Sequence, residues 1–215
     1  RRRHTRLLTV TGVQTCALPI FPSTAWKLKV KKEAWLPGET ISAAIGQGYV
    51  TVTPLQMASM IGTVANDGVS YRPRLVQAIM DRTTGNLQEL PAVARGKAHA
   101  KPETFRIVKE ALAAVVTEGT ATRAKSPLVT IGGKTGTAQV AALGKEKKPE
   151  KDIPKKFRDH AWFVAFAPVE SPKIAVAVLA EHMGHGGSAA APLAKEVIET
   201  YIKLMAEEPA AAPQS

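Results

Sequence analysis

The densest group of residues able to do chemistry in this 215-residue chain is Gly132-Gly133-Lys134-Thr135-Gly136-Thr137. A Gly-Lys-Thr triplet serves a phosphate-binding loop only when a glycine stands five residues before the Gly-Lys pair and a helix follows. That position is Leu128, and the stretch after Lys134 opens on a β-branched residue and leads into a loop, so nucleotide binding is rejected. The same residues suit a strand at the edge of an acyl-transfer site. A substrate ending in a carboxylate needs a fixed cation and hydroxyl donors, and its scissile carbonyl needs backbone N–H groups. Lys134 offers the cation, Thr135 and Thr137 fall on one strand face, and Gly136 lets another backbone approach closely. Taken alone, the triplet also fits a glycine-rich strand entry with a solvated lysine.

Other chemistry-bearing residues carry less. His160, His182 and His185 lack a carboxylate or histidine partner at metal-ligand spacing, so they read as structural or loop histidines and no metal site is expected. Gly46-Gln47-Gly48 lacks the third glycine of a dinucleotide fingerprint, and the next helix starts only at Thr53; it reads as a backbone bend. The single cysteine, Cys16, excludes a disulfide within the chain. A formal net charge of +11 raises nucleic acid as a partner, but only 5% of residues are aromatic and the excess is segregated. It lies in Arg1 to Arg6, in Lys27 to Lys32 and in the run from Lys145 to Arg158, which leaves the body nearly neutral and argues against a nucleic-acid face.

The elements that must position Lys134 follow from periodicity. Thr53-Pro54-Leu55-Gln56 reads as a helix N-cap, Pro at the first position and Gln at the third, with apolar residues at helical spacing to Ala65 and a stop at Gly68. Leu75 to Met80 and Leu87 to Leu90 read as strands joined by Thr84-Gly85-Asn86. A core-packed helix is expected from Pro102 to a stop at Gly119. Val129 to Ile131, Thr135 to Val140, Ala161 to Ala167 and Ile174 to Ala180 read as strands, the last two as antiparallel neighbours within a helix-covered sheet. The Leu143 to His160 connection is long and basic and is expected to border the cleft. A final helix is expected from Pro192 to Met205, burying Leu193, Val197, Ile198, Ile202 and Met205. No run reaches the roughly 18 apolar residues of a membrane span.

Several motifs in one order then carry a family likeness: Ala44-Ile45-Gly46-Gln47-Gly48-Tyr49 with Thr53-Pro54-Leu55-Gln56-Met57-Ala58, Asn66-Asp67-Gly68, Gly133-Lys134-Thr135-Gly136-Thr137-Ala138-Gln139, Arg158 to Pro168, and Gly184-His185-Gly186-Gly187. The sequence resembles the penicillin-binding protein transpeptidase family, and within it the class B elongation branch of penicillin-binding protein 2. The likeness runs from about Phe21 to Met205. Glu181-His182-Met183-Gly184 departs from the Glu-Asn-Gly-Gly type of turn that relatives tend to show.

The resemblance implies an α/β chain of the α+β type: the C-terminal part of the transpeptidase or serine β-lactamase-like fold, with antiparallel strands covered by helices. It implies a peptidoglycan D,D-transpeptidase that cross-links stem peptides ending in D-Ala-D-Ala by serine acyl transfer, without metal or nucleotide cofactor. Lys134 would tune the electrostatics of the serine network. Thr135, Gly136 and Thr137 would bind the substrate or penicillin, with the Thr137 N–H as an oxyanion donor. The implied partners are stem peptides, β-lactams, a membrane glycosyltransferase and elongation-complex proteins, at the periplasmic face of the inner membrane.

None of the eight serines has Lys three positions on or Asn two positions on. The Ser-x-x-Lys and Ser-x-Asn motifs that supply the nucleophile side are therefore not in this chain, which is expected to be a C-terminal fragment, inactive alone. Expected divisions are 1–20, a leader unrelated to the family that reads like translated sequencing adapter or else a divergent linker; 21–206, transpeptidase; and 207–215, a frayed tail. Two rivals remain: a noncatalytic penicillin- or peptide-binding module, and a serine β-lactamase-like hydrolase, disfavoured because no deacylation apparatus is visible.

Overall fold

A computed structural model describes residues 21–140 and 153–207 and divides the chain into two units, one ending at Met57 and one starting at Ala58. The leader, the tail beyond Glu207 and most of the basic Lys145 to Lys156 run lie outside the described residues.

In the first unit, helix α1 (Thr24–Lys31) starts at Ser23, whose side chain accepts from the Trp26 N–H. Helix α2 (Pro37–Ala44) begins on Pro37, and Glu39 reaches back to the Leu36 N–H at 2.7 Å. Lys27 bridges the two helices. Its ammonium lies 2.7 Å from Glu39 and 3.5 Å from Glu33, with the side chain only 2% exposed. The Lys27 to Lys32 charge is therefore partly neutralised within the unit. Gly46 and Gly48 adopt φ of 75° and 68°, a backbone bend as the sequence indicated. Helix α3 (Pro54–Ala65) opens on the expected cap: the Thr53 N–H donates to Gln56 Oε1 at 2.8 Å, and the Gln56 N–H donates back to Thr53 Oγ1 at 3.2 Å. Such a reciprocal cap satisfies two backbone donors that the helix leaves open.

In the second unit, α3 ends before Gly68, whose φ of 90° suits glycine. Four short strands follow: β1 (Val69–Tyr71), β2 (Ala78–Met80), β3 (Leu87–Glu89) and β4 (Ala94–Lys97). β2 and β3 form the hairpin around Gly85, but β2 is shorter than Leu75 to Met80 because β3, its ladder partner among the described residues, pairs with Ala78 to Met80 alone. β1 pairs with β4, a pairing without a sequence signal. Helix α4 (Pro102–Thr117) buries Phe105 and Val116, and the Gly119 N–H returns to the Ala114 carbonyl at 3.0 Å.

The central sheet has the order β5 (Gly132–Ala138), β6 (His160–Ala167), β7 (Ile174–Ala180), antiparallel throughout. β5 begins at Gly132, not Thr135, and Val129 to Ile131 form no strand. The glycines explain the early start. A Cβ on Gly133 would lie 2.5 Å from the Phe163 ring and 2.7 Å from the Val164 carbonyl oxygen, so only glycine lets β5 lie this close to β6. Both faces of β6 are buried. Ala161, Phe163, Ala165 and Ala167 join the core with Val116, Ile131 and Ile198, while Val164 and Phe166 face the other way. On that other face, Gly62 of α3 sits against Ala175 of β7. Burial of a ring such as Phe163 stabilises by about 1.5–3 kcal/mol.

Helix α5 (Gly186–Glu207) corrects the last expectation. It starts six residues before Pro192, and its buried stripe is Ala190, Ala191, Ala194 and Ile198; Leu193, Val197 and Met205 are exposed. Small residues let this helix lie close on the sheet, which rotates the stripe away from the larger side chains.

Candidate active-site cleft

Register decides which β5 side chains share a space. Thr135 lies opposite Phe163 and Thr137 opposite Ala161, so both threonines stand on the sheet face that carries α5. Lys134 is opposite Val164 and belongs to the other face; its ammonium donates to the neighbouring Thr135 carbonyl at 2.9 Å. The expected pairing of Thr135 with Thr137 holds, and the lysine is set apart from them.

Thr135, Gly136 and Thr137 line an open cleft of about 490 Å³. Its opposite wall is the turn after α4, with Thr120, Thr122 and Arg123, and its end is the start of α5, with His185, Gly186, Gly187 and Ser188. The walls are held by close backbone approach. A Cβ on Gly186 would overlap the Trp162 carbonyl oxygen and lie 2.6 Å from that of Gly136, and one on Gly187 would overlap that of Thr120. Glycine at both positions is what allows a helix to begin against the strand.

Two hydrogen bonds tune the polar lining. The Thr120 and Thr135 hydroxyls are 2.9 Å apart, either able to donate. Arg123 Nη1 donates to the Ser188 carbonyl at 2.8 Å. In a continuous helix that carbonyl would accept from the N–H four residues on, which is Pro192 and has none. Arg123 thus replaces the donor that Pro192 lacks and fixes the cleft wall to α5. Sequence reasoning missed Thr120, Arg123 and Ser188; the available signal was a proline four residues after Ser188 inside an apolar helical pattern.

Among the described residues no Asp or Glu lines the cleft, whereas the guanidinium of Arg123 does, so its electrostatics favour an anion. Of the other histidines, His160 and His182 stack edge to face at 4.5 Å and fasten the β7–α5 turn, a structural placement as expected. Perturbed carboxylates lie elsewhere. Glu170, which accepts from the Thr130 hydroxyl, is held below the usual carboxylate range by that bond.

Comparison with known proteins identifies the family and the fold. Residues 21–199 match the family described as "Penicillin binding protein transpeptidase domain". Peptidoglycan D,D-transpeptidase MrdA of Acinetobacter baumannii is 36% identical over 191 residues, covering 88% of this chain and 28% of the relative. The crystal structure of Pseudomonas aeruginosa PBP2 in complex with WCK 5153 superposes with a TM-score of 0.67 at 34% identity, covering 86% of this chain and 38% of that one. PBP2 of Helicobacter pylori, solved in complex with MreC, gives a TM-score of 0.67 at 28% identity, covering 87% and 32%. The chain therefore spans about 28% of the length of the curated relative, and it belongs to the penicillin-binding protein transpeptidase domain family.

Proposed function

We propose that the chain supplies the β5 strand, Gly132–Ala138, that lines the active site of a peptidoglycan D,D-transpeptidase acting in cell-wall elongation, with the serine nucleophile carried by residues outside these 215. The observation that carries this reading is the placement of Thr135, Gly136 and Thr137 along one side of an open cleft at the start of α5. In the reaction, the serine oxygen attacks the penultimate D-Ala carbonyl, its proton passing to the serine network that Lys134 tunes. The Thr137 N–H donates to the developing oxyanion, and the Thr135 and Thr137 hydroxyls hold the terminal carboxylate. Terminal D-Ala leaves as the amine, and an acceptor amine then displaces the serine to form the cross-link. β-Lactams acylate the same serine.

We further propose that the whole protein works at the periplasmic face of the inner membrane with a membrane glycosyltransferase and elongation partners, the last supported by the Helicobacter pylori PBP2–MreC complex. Among the described residues no helix is long and apolar enough to cross a membrane. Fluorescent penicillin tests the reading, applied to this chain and to a version extended by the sequence encoded upstream. Covalent label is expected on the extended version only. Label on the 215-residue chain, or on neither, refutes it.

A further inference from the structure

We propose that Arg123 is the cation that binds the ligand's carboxylate in the Thr135–Thr137 cleft, a role that the Lys-Thr-Gly motif leaves to no lysine here. The inference rests on the transpeptidase reading above and names a specificity residue within it. Strand alternation sends Lys134 to the opposite sheet face from Thr135 and Thr137, and its ammonium is engaged with the Thr135 carbonyl at 2.9 Å. A carboxylate held by the two threonine hydroxyls therefore needs its counter-charge from another element. Arg123 lines the same cleft, is exposed to it, and has no ion pair with an acidic side chain among the described residues.

Its geometry is prepared for the task. One guanidinium donor is spent on the Ser188 carbonyl at 2.8 Å, which anchors the group against α5. A guanidinium carries about five N–H donors, so most remain. An anchored planar fork loses less freedom on binding a carboxylate than a free lysine does. Thr120 completes the arrangement: when its hydroxyl donates to Thr135 Oγ1, the Thr135 proton is left to point at an incoming anion. The cleft then offers charge from Arg123 and a directed hydroxyl from Thr135, with no acidic residue to oppose them among the described residues.

The test uses this chain and two probes, diacetyl-Lys-D-Ala-D-Ala and the same peptide with a C-terminal amide, titrated by NMR. The wild-type chain is expected to bind the acid about tenfold more tightly than the amide, the scale of one charge-assisted hydrogen-bond pair. In Arg123→Gln the preference falls to within about twofold, and Arg123→Lys keeps part of it. Because Arg123 also supports the Ser188 carbonyl, the double variant combining Arg123→Gln with Pro192→Ala is made alongside. Replacing Pro192 by alanine restores the missing helix N–H, so folding no longer depends on the guanidinium. Retention of the acid preference in the double variant overturns the proposal while leaving the transpeptidase reading intact. A wild-type chain that ignores the difference between acid and amide, or binds neither, overturns the proposal. Whether the extended version then takes covalent penicillin decides the transpeptidase reading separately.

Discussion

The backbone N–H of His182 donates to His160 Nδ1 at 2.9 Å, across 22 residues of sequence, and the His182 Nδ1 lies 3.1 Å from the Arg158 carbonyl. Strand β6 is thereby fastened at its first residue to the turn between β7 and α5, the turn that delivers Gly186 to the cleft. His182 adopts a φ of 58°, in the left-handed region that is uncommon for any residue with a side chain. The imidazole bond and the edge-to-face packing offset that backbone cost.

Replacing the acceptor tests this latch. His160→Phe removes Nδ1 and is expected to destabilise the fold by about 1 kcal/mol, with faster amide exchange at His182 and Gly184. His160→Asn retains an acceptor near the Nδ1 position and is expected to recover part of the protection. Equal exchange rates at His182 in wild type and His160→Phe rule the latch out.

Gly186→Ala is the sharper probe of the cleft's construction. The added methyl meets the Trp162 and Gly136 carbonyl oxygens, both backbone atoms that no rotamer change can move aside. A loss of at least about 2 kcal/mol in urea unfolding is expected, at the upper end of ordinary overpacking. A Gly38→Ala control, where nothing lies within 4 Å, should cost far less. Equal costs for the two changes count against close approach as the reason for Gly186.

The Thr120 and Thr135 hydroxyls form one unit if Thr120 orients the proton of Thr135. Thr120→Val is then expected to weaken binding of the acid peptide about threefold, Thr135→Val more, and the double variant no more than Thr135→Val alone. Additive losses in that cycle show the two hydroxyls acting independently. Because both side chains are at least partly open to solvent, the stability change from Thr120→Val should stay below about 1 kcal/mol.

How far the sequence could foretell this arrangement differs by element. The α3 cap was readable because Thr53 and Gln56 satisfy each other locally, within one helical turn. β6 and β7 were readable because both are continuously apolar runs of strand length, β6 buried on both faces and β7 half-buried along its length. The start of α5 was not: Pro192 looks like a first helical residue, and only the distant Arg123 makes it acceptable at the seventh position. Gly132 and Gly133 weaken strand propensity yet begin β5, because the approach of Phe163 and Phe166 that requires them is non-local. In the site, Thr135 and Thr137 followed from alternation, whereas Thr120 and Arg123 come from a turn whose position depends on tertiary packing.

The Lys27–Glu39 pair sets a pH window for the first unit. Glu39 is held below the usual carboxylate range, first by the Leu36 N–H and then by the Lys27 ammonium. A depressed carboxyl stabilises above its unfolded value, and that contribution is lost as pH falls through the folded one. Lys27 is raised above the usual lysine range, chiefly by its bond to Glu39, so its contribution is present below the unfolded value and fades as pH climbs through the folded one. The α1–α2 pairing is therefore expected to be firmest from weakly acidic to moderately alkaline pH. The indole N–H of Trp35, which donates to Thr40 Oγ1 on α2 at 2.9 Å, gives an NMR reporter inside the unit. Its signal should shift with an acid midpoint below the usual carboxylate range in wild type, and Glu39→Gln should abolish that transition while leaving the second unit's signals unchanged. An acid transition of the same midpoint in Glu39→Gln would place its origin in another group and remove Glu39 from the account.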